Sequence, residues 1–327
     1  MVGHLYIFNS DDMRKRICNI LLLVAVLILA DILVGVISKA IINKVSREPI
    51  ARYAALIAYK FQSVKADVVI VGSSTANSHY IPSTFADSLS NLYGEKLIGF
   101  NAGAQNQGIP YCKAILSGVF ERCHPKMVVM DIQPGQLFQP LSELQKKDFR
   151  PYYHYNENVK KILDDNSSFM GKVELMSNMY CENCEIIKLL FALRTFGKNS
   201  SSDVTGFERR DEILDKMPAL STIPVDKEAK PTCTNDLLDI VTMCSANNCD
   251  LVLVISPYLN GEYSSSYYED YLKSLCEKNE IRLLDYMNDE SFQDYKLFRD
   301  ARHLNYSGAQ VLSQRVCSDI RKLMSQD

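Results

Sequence analysis

The chain has 327 residues, 47% of them hydrophobic and 23% charged, which fits one large domain or two small ones and excludes a disordered or collagen-like protein. Its 36 Lys plus Arg nearly balance 39 Asp plus Glu, for a net charge of -3, so no basic excess points to nucleic acid and no acidic run to a solvating tail. A mean hydropathy of -0.10 hides an uneven distribution, because the apolar residues gather in one N-terminal block and a few short runs.

That block, Ile17 to Ile37, reads ICNILLLVAVLILADILVGVI, with only Asn19 and Asp31 polar. Its 21 residues suffice to cross a hydrocarbon core of roughly 30 Å. Both a membrane-spanning helix and a signal peptide answer to this description. A signal's apolar core is shorter, about 7–15 residues, and Ser38-Lys39-Ala40 is a weak cleavage site, so an uncleaved anchor is the expectation. Arg14, Lys15 and Arg16 precede the span, whereas Lys39, Lys44, Arg47 and Arg52 follow it, and charge therefore leaves the orientation open. Asp31 is read either as an intramembrane carboxylate facing a partner helix or, preferably, as a group solvated near the interface. Residues 1–16 form a tail, 17–37 the span, and 38–65 a short helical stalk expected to lift the remaining domain, 66–327, off the membrane.

Five runs rich in β-branched residues follow: Asp67-VVIV-Gly72, Lys96-LIGF-Asn101, Lys126-MVVMDI-Gln133, Asp250-LVLVIS-Pro257 and Glu280-IRLLD-Tyr286. Such continuous apolar runs suit strands buried on both faces, and Gln107 to Arg122 and Tyr263 to Asn279 read as crossover helices. The expected fold is α/β, a three-layer sandwich around a five-stranded parallel sheet. Asn305 to Met324 places Leu312, Val316, Ile320 and Leu323 on one helical face, with Asn305 as N-cap. Between the third and fourth strands, residues 133–249 are far too long for an ordinary connection and read as an inserted subdomain or lid. Tyr152, Tyr153 and Tyr155 within it either line a sugar cleft or, the preferred reading, pack.

Nine of the ten cysteines lie beyond the span, so at least one cannot pair internally. Cys181-Glu-Asn-Cys184 has C-x-x-C spacing, but no second pair or nearby His completes a metal cage. No metal or cofactor is expected.

The first strand ends in Gly72-Ser73-Ser74-Thr75, placing Ser74 at the carboxyl end of a parallel strand, where open α/β sheets bind ligands. A serine needs a base to take its proton, and of the five histidines His303 has the most informative neighbours. Asp300-Ala301-Arg302-His303 sets a carboxylate three residues before the imidazole, able to fix its tautomer. His79 is a rival base, read as a contact at the cleft rim; His124 and His154 read as surface or packing residues, and His4 precedes the anchor. A nucleotide-binding reading of the first strand fails for want of a Gly-x-x-Gly or Gly-Lys-Ser/Thr after Gly72.

Together, Gly-Ser-Ser-Thr, the strand order and the terminal Asp-x-x-His-Leu-Asn resemble the SGNH/GDSL hydrolase family over Ala66 to the C-terminus, apart from the insertion. The resemblance implies a flavodoxin-like fold. It maps the nucleophile onto Ser74, with Ser73 where most members have Asp, a variant of the membrane-anchored, DltD-like branch. It maps the last block onto Asp300 and His303, followed by Leu304, Asn305 and Gly308. The second block, Asn-x-Gly-x-x-Gly, corresponds to Asn101-Ala102-Gly103-Ala104-Gln105-Asn106, with Gln107-Gly108 able to shift the turn. The oxyanion candidates are therefore the amides of Ser74 and Asn106, with Gly103 and Gly108 as neighbours. The third block, Gly-x-Asn-Asp, is absent, and Gln133 or Gln136 is the substitute amide.

The family implies a serine acyl-esterase or O-acyltransferase outside the cytoplasmic membrane. Its substrate is an acylated glycan, acetylated by preference, of the envelope or an exported polymer, or a small ester. The competing reading is a catalytically weak scaffold that binds glycan or partners a membrane acyltransferase.

Overall fold

Each of the five apolar runs becomes a strand because its side chains can be buried on both sides of a sheet. In the computed structural model, which describes residues 10–49, 53–183, 185–195 and 204–325, they are β1 (Val68–Val71), β2 (Gly99–Asn101), β3 (Met127–Asp131), β5 (Asp250–Ile255) and β7 (Arg282–Asp285). All four junctions are parallel, in the order β2, β1, β3, β5, β7. Two short strands, β4 (Ser221–Ile223) and β6 (Gly261–Tyr263), pair separately.

Strand side chains alternate between faces. Val69, Val71, Val128, Met130, Leu253 and Ile255 therefore enter one buried cluster, and Val68, Ile70, Met127, Val129, Val252 and Val254 the other. Helices α1 (Ser10–Val45) and α2 (Tyr53–Gln62) precede the sheet, α3 (Ser74–His79) and α4 (Pro82–Tyr93) follow β1, and α5 (Ile109–Arg122) follows β2. Between β3 and β5 come α6 (Glu143–Phe149), α7 (Glu157–Asp165), α8 (Phe169–Leu175), α9 (Asn178–Glu182), α10 (Glu185–Thr195) and α11 (Thr234–Ala246). Helix α12 (Tyr267–Lys278) leads to β7, and α13 (Tyr306–Met324) closes the described chain. One cluster joins the end of α1 with α2, α5, α11 and α12; the other joins α3, α4 and α13. The result is a three-layer α/β sandwich whose strand order reverses between β1 and β3, the place where such sheets bind ligands at their carboxyl ends.

The C-terminal helix starts as expected, with Asn305 Oδ1 accepting the Gly308 N–H at 3.1 Å. Leu312, Val316 and Ile320 are fully buried, while Leu323 is only partly covered at the helix end.

Two boundaries differ from expectation. The segment expected as a stalk, 38–65, is built into the domain: Ile41, Ile42 and Val45 at the end of α1 and Ile57, Ala58 and Phe61 of α2 are core residues. The cause is an apolar stripe that continues past the span, which buries itself on α5 instead of standing in water. The insertion, expected as 133–249, ends sooner, because α11 is a regular crossover that buries Leu237, Ile240 and Cys244 against the α5 layer. Tyr152 and Tyr153 are packing residues, Tyr152 lying 4.6 Å from the Phe61 ring centroid. The nine described cysteines are free thiols, and Cys184, His4 and Arg52 lie outside the described residues.

The turn after β1 admits only glycine. Gly72 has φ +146°, and a Cβ there would sit 2.7 Å from both the Asp131 carbonyl oxygen and the Ala76 Cβ. Gly72→Ala is expected to lower stability by about 1–3 kcal/mol, read as a reduced urea midpoint.

Candidate active site

Gly72 turns the chain so that Ser74 becomes the first residue of α3, at the sheet's carboxyl edge. Across the cleft, the loop before α13 carries His303, whose Nε2 lies 2.9 Å from Ser74 Oγ. His303 Nδ1 lies 2.9 and 3.0 Å from the two oxygens of Asp300. An ionised carboxylate only accepts, so Nδ1 carries the proton and Nε2 is free to accept from the serine hydroxyl. Asp300 also accepts the Arg302 N–H at 2.9 Å and the His303 N–H at 3.0 Å, which closes the turn and aims the carboxylate. Burial opposes the Asp300 charge, but the His303 ring and these two amides outweigh it and hold the carboxyl down to about 2. The three residues expected as nucleophile, base and orienter are thus brought together in hydrogen-bonding order.

Beneath them lies a polar network that the sequence did not disclose. Asp131, at the end of β3 and 1% exposed, accepts hydrogen bonds from Thr75 Oγ1, from Tyr80 OH at 2.8 Å and from Ser256 Oγ at 2.5 Å. Burial raises its carboxyl, with the three hydroxyls working against that rise. The available signal was a lone Asp inside the apolar run Met127 to Ile132.

His79 belongs to this network and not to the cleft rim. It is fully buried; its Nε2 accepts the Leu304 N–H at 3.0 Å, so Nδ1 holds the proton and donates to Ser256 Oγ at 3.1 Å. One and a half turns of helix carry residue 79 beneath Ser74 instead of beside it. Burial, and then the neighbouring His303, push its imidazole down to about 3.

On the oxyanion side, Ser74 sits at the first helical position, where a backbone N–H has no intrahelical acceptor. Asn106 adopts φ +58° and lines the cleft with Gln107 and Gly108. Gly103 is removed from the donor set, because its N–H is committed to Asn101 Oδ1 at 2.9 Å. Gly108 is the residue preceding α5. The Gln133 N–H donates to Gln136 Oε1 at 3.2 Å, and both residues line the cleft. A second unforeseen residue, Lys60 of α2, is 2% exposed and donates its Nζ to the Gly103 carbonyl, fixing the loop that presents Asn106. Burial, opposed by Glu208 and Asp148, lowers the Lys60 ammonium to about 7. A lysine within the apolar stretch Tyr53 to Phe61 was the clue. The cleft holds about 320 Å³; amides, hydroxyls and the apolar Ile109, Leu141 and Ile223 line it, with Arg302 as the one Lys or Arg among the described lining residues. His124 and His154 are exposed and do not line the cleft.

No protein-family model and no curated protein matches the chain. Among solved structures it is similar to a protein described as lipolytic and of the G-D-S-L family from Desulfitobacterium hafniense, with 9% identity over 77% of this chain and 98% of that one, at a TM-score of 0.37. It is similar to an alpha/beta hydrolase enzyme from a Lake Arreo metagenome, with 14% identity, 77% and 92% coverage and a TM-score of 0.37. The values for a mutant of an acetyl-xylooligosaccharide esterase from Geobacillus are 11% identity, 79% and 94% coverage, and 0.38. Likenesses this distant carry no argument about chemistry, which rests on the side chains.

The buried imidazole gives stability a direction with pH. Between about 3 and the ordinary 6.5, the unfolded His79 takes up a proton that the folded one refuses. Its contribution is therefore complete above pH 6.5 and falls as pH drops toward 3. Urea midpoints measured from pH 7 to pH 4 should decline, and His79→Gln, although less stable at pH 7, should show a shallower decline.

Proposed function

We propose that the chain is a membrane-anchored serine acyl-esterase or O-acyltransferase of the SGNH type, acting on an acylated, preferentially acetylated, cell-envelope or exported glycan. One observation carries this reading: Asp300, His303 and Ser74 stand in hydrogen-bonded order, each link 2.9 Å long, at the switch point of the sheet.

Ser74 Oγ attacks the ester carbonyl while His303 Nε2 takes its proton, and Asp300 stabilises the imidazolium. The developing oxyanion faces the amides of Ser74 and Asn106. The protonated His303 then gives its proton to the departing alcohol, leaving an acyl ester on Ser74. Water or a sugar hydroxyl, deprotonated by His303, releases the acyl group. Gln107, Gln133, Gln136, Gln139 and Gln145 give the cleft both donors and acceptors, which suit a substrate rich in hydroxyls and without net charge. The apolar helix Met13–Val45 is long enough to serve as the anchor, with the domain on the periplasmic or extracellular side.

A second reading is a weak scaffold that holds glycan or partners a membrane acyltransferase. It is favoured by the third strand, which ends without the Asn donor of the family's third block and whose Gln133 backbone N–H is already donated to Gln136 Oε1.

Reaction with a fluorophosphonate probe separates the two. Wild-type protein should label at Ser74, and Ser74→Ala should not. Asp300→Asn should reduce kcat on an acetylated glycan by about 10⁴-fold while leaving the fold intact. Absence of both labelling and acetate release from the wild type would leave only the scaffold.

A further inference from the structure

Asp31 lies within the apolar helix, yet its carboxylate accepts four hydrogen bonds. Ser177 Oγ donates to its Oδ1 at 2.6 Å and the Met179 N–H at 2.9 Å. The Asn178 N–H and Asn178 Nδ2 both donate to its Oδ2 at 3.0 Å. One turn later, Gly35 lies so close to Asn178 that a Cβ would collide with the amide side chain. The insertion is therefore fastened to α1 between residues 31 and 35.

The helix itself sets the depth of that fastening. From Arg16 to Asp31 a helix rises about 22 Å, at 1.5 Å per residue. A hydrocarbon core of roughly 30 Å that begins at the Arg14-Lys15-Arg16 cluster thus ends near Val36, a turn beyond Asp31. The start of α9 meets α1 inside that limit. An unpaired carboxylate there would be costly, and the four donors from 177–179 remove the cost.

The neighbouring helices have the surface that this depth requires. Phe169, Met170 and Met176 are 79%, 62% and 71% exposed, and Met179, Leu190 and Phe191 are also exposed. These helices bury Leu175, Cys181, Leu189 and Ala192 against the domain, so the exposed set is a second apolar face and not an unfinished core. It continues the exposed apolar surface of α1, to which α9 and α10 are packed.

Resting on the anchor reading above, we propose that α8, α9 and α10 lie in the interfacial layer of the bilayer that α1 crosses, with Asp31 fixing their depth. The occupant of the exposed face is lipid. The geometry has a consequence for the site. A polar groove of about 440 Å³ runs from Asn106 and Gln107, which also line the Ser74 cleft, to Cys181, Glu185 and Lys188 on the insertion. It thus opens toward the headgroup layer, and the cleft is reached from the membrane surface.

The chain contains no Trp, so single introduced tryptophans report without background. Full-length variants Leu29→Trp in α1, Phe169→Trp and Phe191→Trp in the insertion, and Val311→Trp on α13, across the sheet, would be placed in phosphatidylcholine and phosphatidylglycerol vesicles containing lipids brominated near the headgroup or deeper in the chain. Fluorescence at 169 and 191 is expected to fall at least twofold, more strongly with the shallow bromines. Fluorescence at 29 should fall with the deep ones, and that at 311 should not change. Quenching at 29 without quenching at 169 and 191 overturns the docking and leaves the anchor standing. Blue-shifted but unquenched emission at 169 and 191 also overturns it, because protein, a second copy or another partner, then covers the face. No quenching at 29 overturns the anchor reading itself, and the docking with it.

Discussion

One buried carboxylate holds the Ser74–His303 geometry together. Asp131 ends β3, and its three hydroxyl partners come from α3, from the turn after α3 and from the end of β5. Hydrogen bonds to a charged acceptor contribute about 1.5–3 kcal/mol each, and a buried charge that loses them is heavily penalised. The three elements can therefore meet only in the arrangement that satisfies Asp131. Through Ser256 and His79 the same network reaches the Leu304 amide, and so the loop that carries His303. Ser74 and His303, 229 residues apart in sequence, are registered against a common support.

The oxyanion side has a different support. Lys60 comes from α2, which packs against the end of α1, and its ammonium grips the carbonyl of Gly103. Asn101 completes the fixation: its Nδ2 donates to the carbonyls of Ala76 and Tyr80, at 2.7 and 2.9 Å, while its Oδ1 takes the Gly103 amide. The loop bearing Asn106 is thus tied both to α3, which carries Ser74, and to α2, which packs on the end of α1. Burial lowers the Lys60 ammonium, with Glu208 and Asp148 working against that fall.

What was legible in the sequence follows from range. Strands β1, β3 and β5 are short-range signals, written in consecutive apolar residues, and the Asp300 to His303 turn is written in four. Ser74 could be placed because a strand end and a following helix are local features. The buried network was illegible because Asp131, Tyr80, Ser256 and His79 are joined only after three strands are aligned, and a histidine near a serine reads locally as a rim contact. The crossover α11 was hidden for another reason, since its apolar stripe of Leu237, Ile240 and Cys244 is narrow and follows a long irregular stretch. Asp31 shows the same limit: its partners at 177–179 lie nearly 150 residues away, so a bonded group and a solvated one looked alike.

The two ends of the cleft make complementary demands on a substrate. At Ser74 the walls combine amides and hydroxyls with the apolar side chains of Ile109, Leu141 and Ile223, and Arg302 is turned onto Tyr258 with its guanidinium 5.3 Å from the ring centroid. At the insertion the groove is lined by Lys147, Arg150 and Lys188 together with Asp148 and Glu185; Lys188 pairs with Glu185 at 2.6 Å and Arg150 with Glu143 at 2.5 Å. The charged groups of this path therefore gather at the insertion end, while the Ser74 end is lined by uncharged groups beside Arg302. At the Ser74 end selectivity then comes from the placement of donors and acceptors rather than from attraction at a distance.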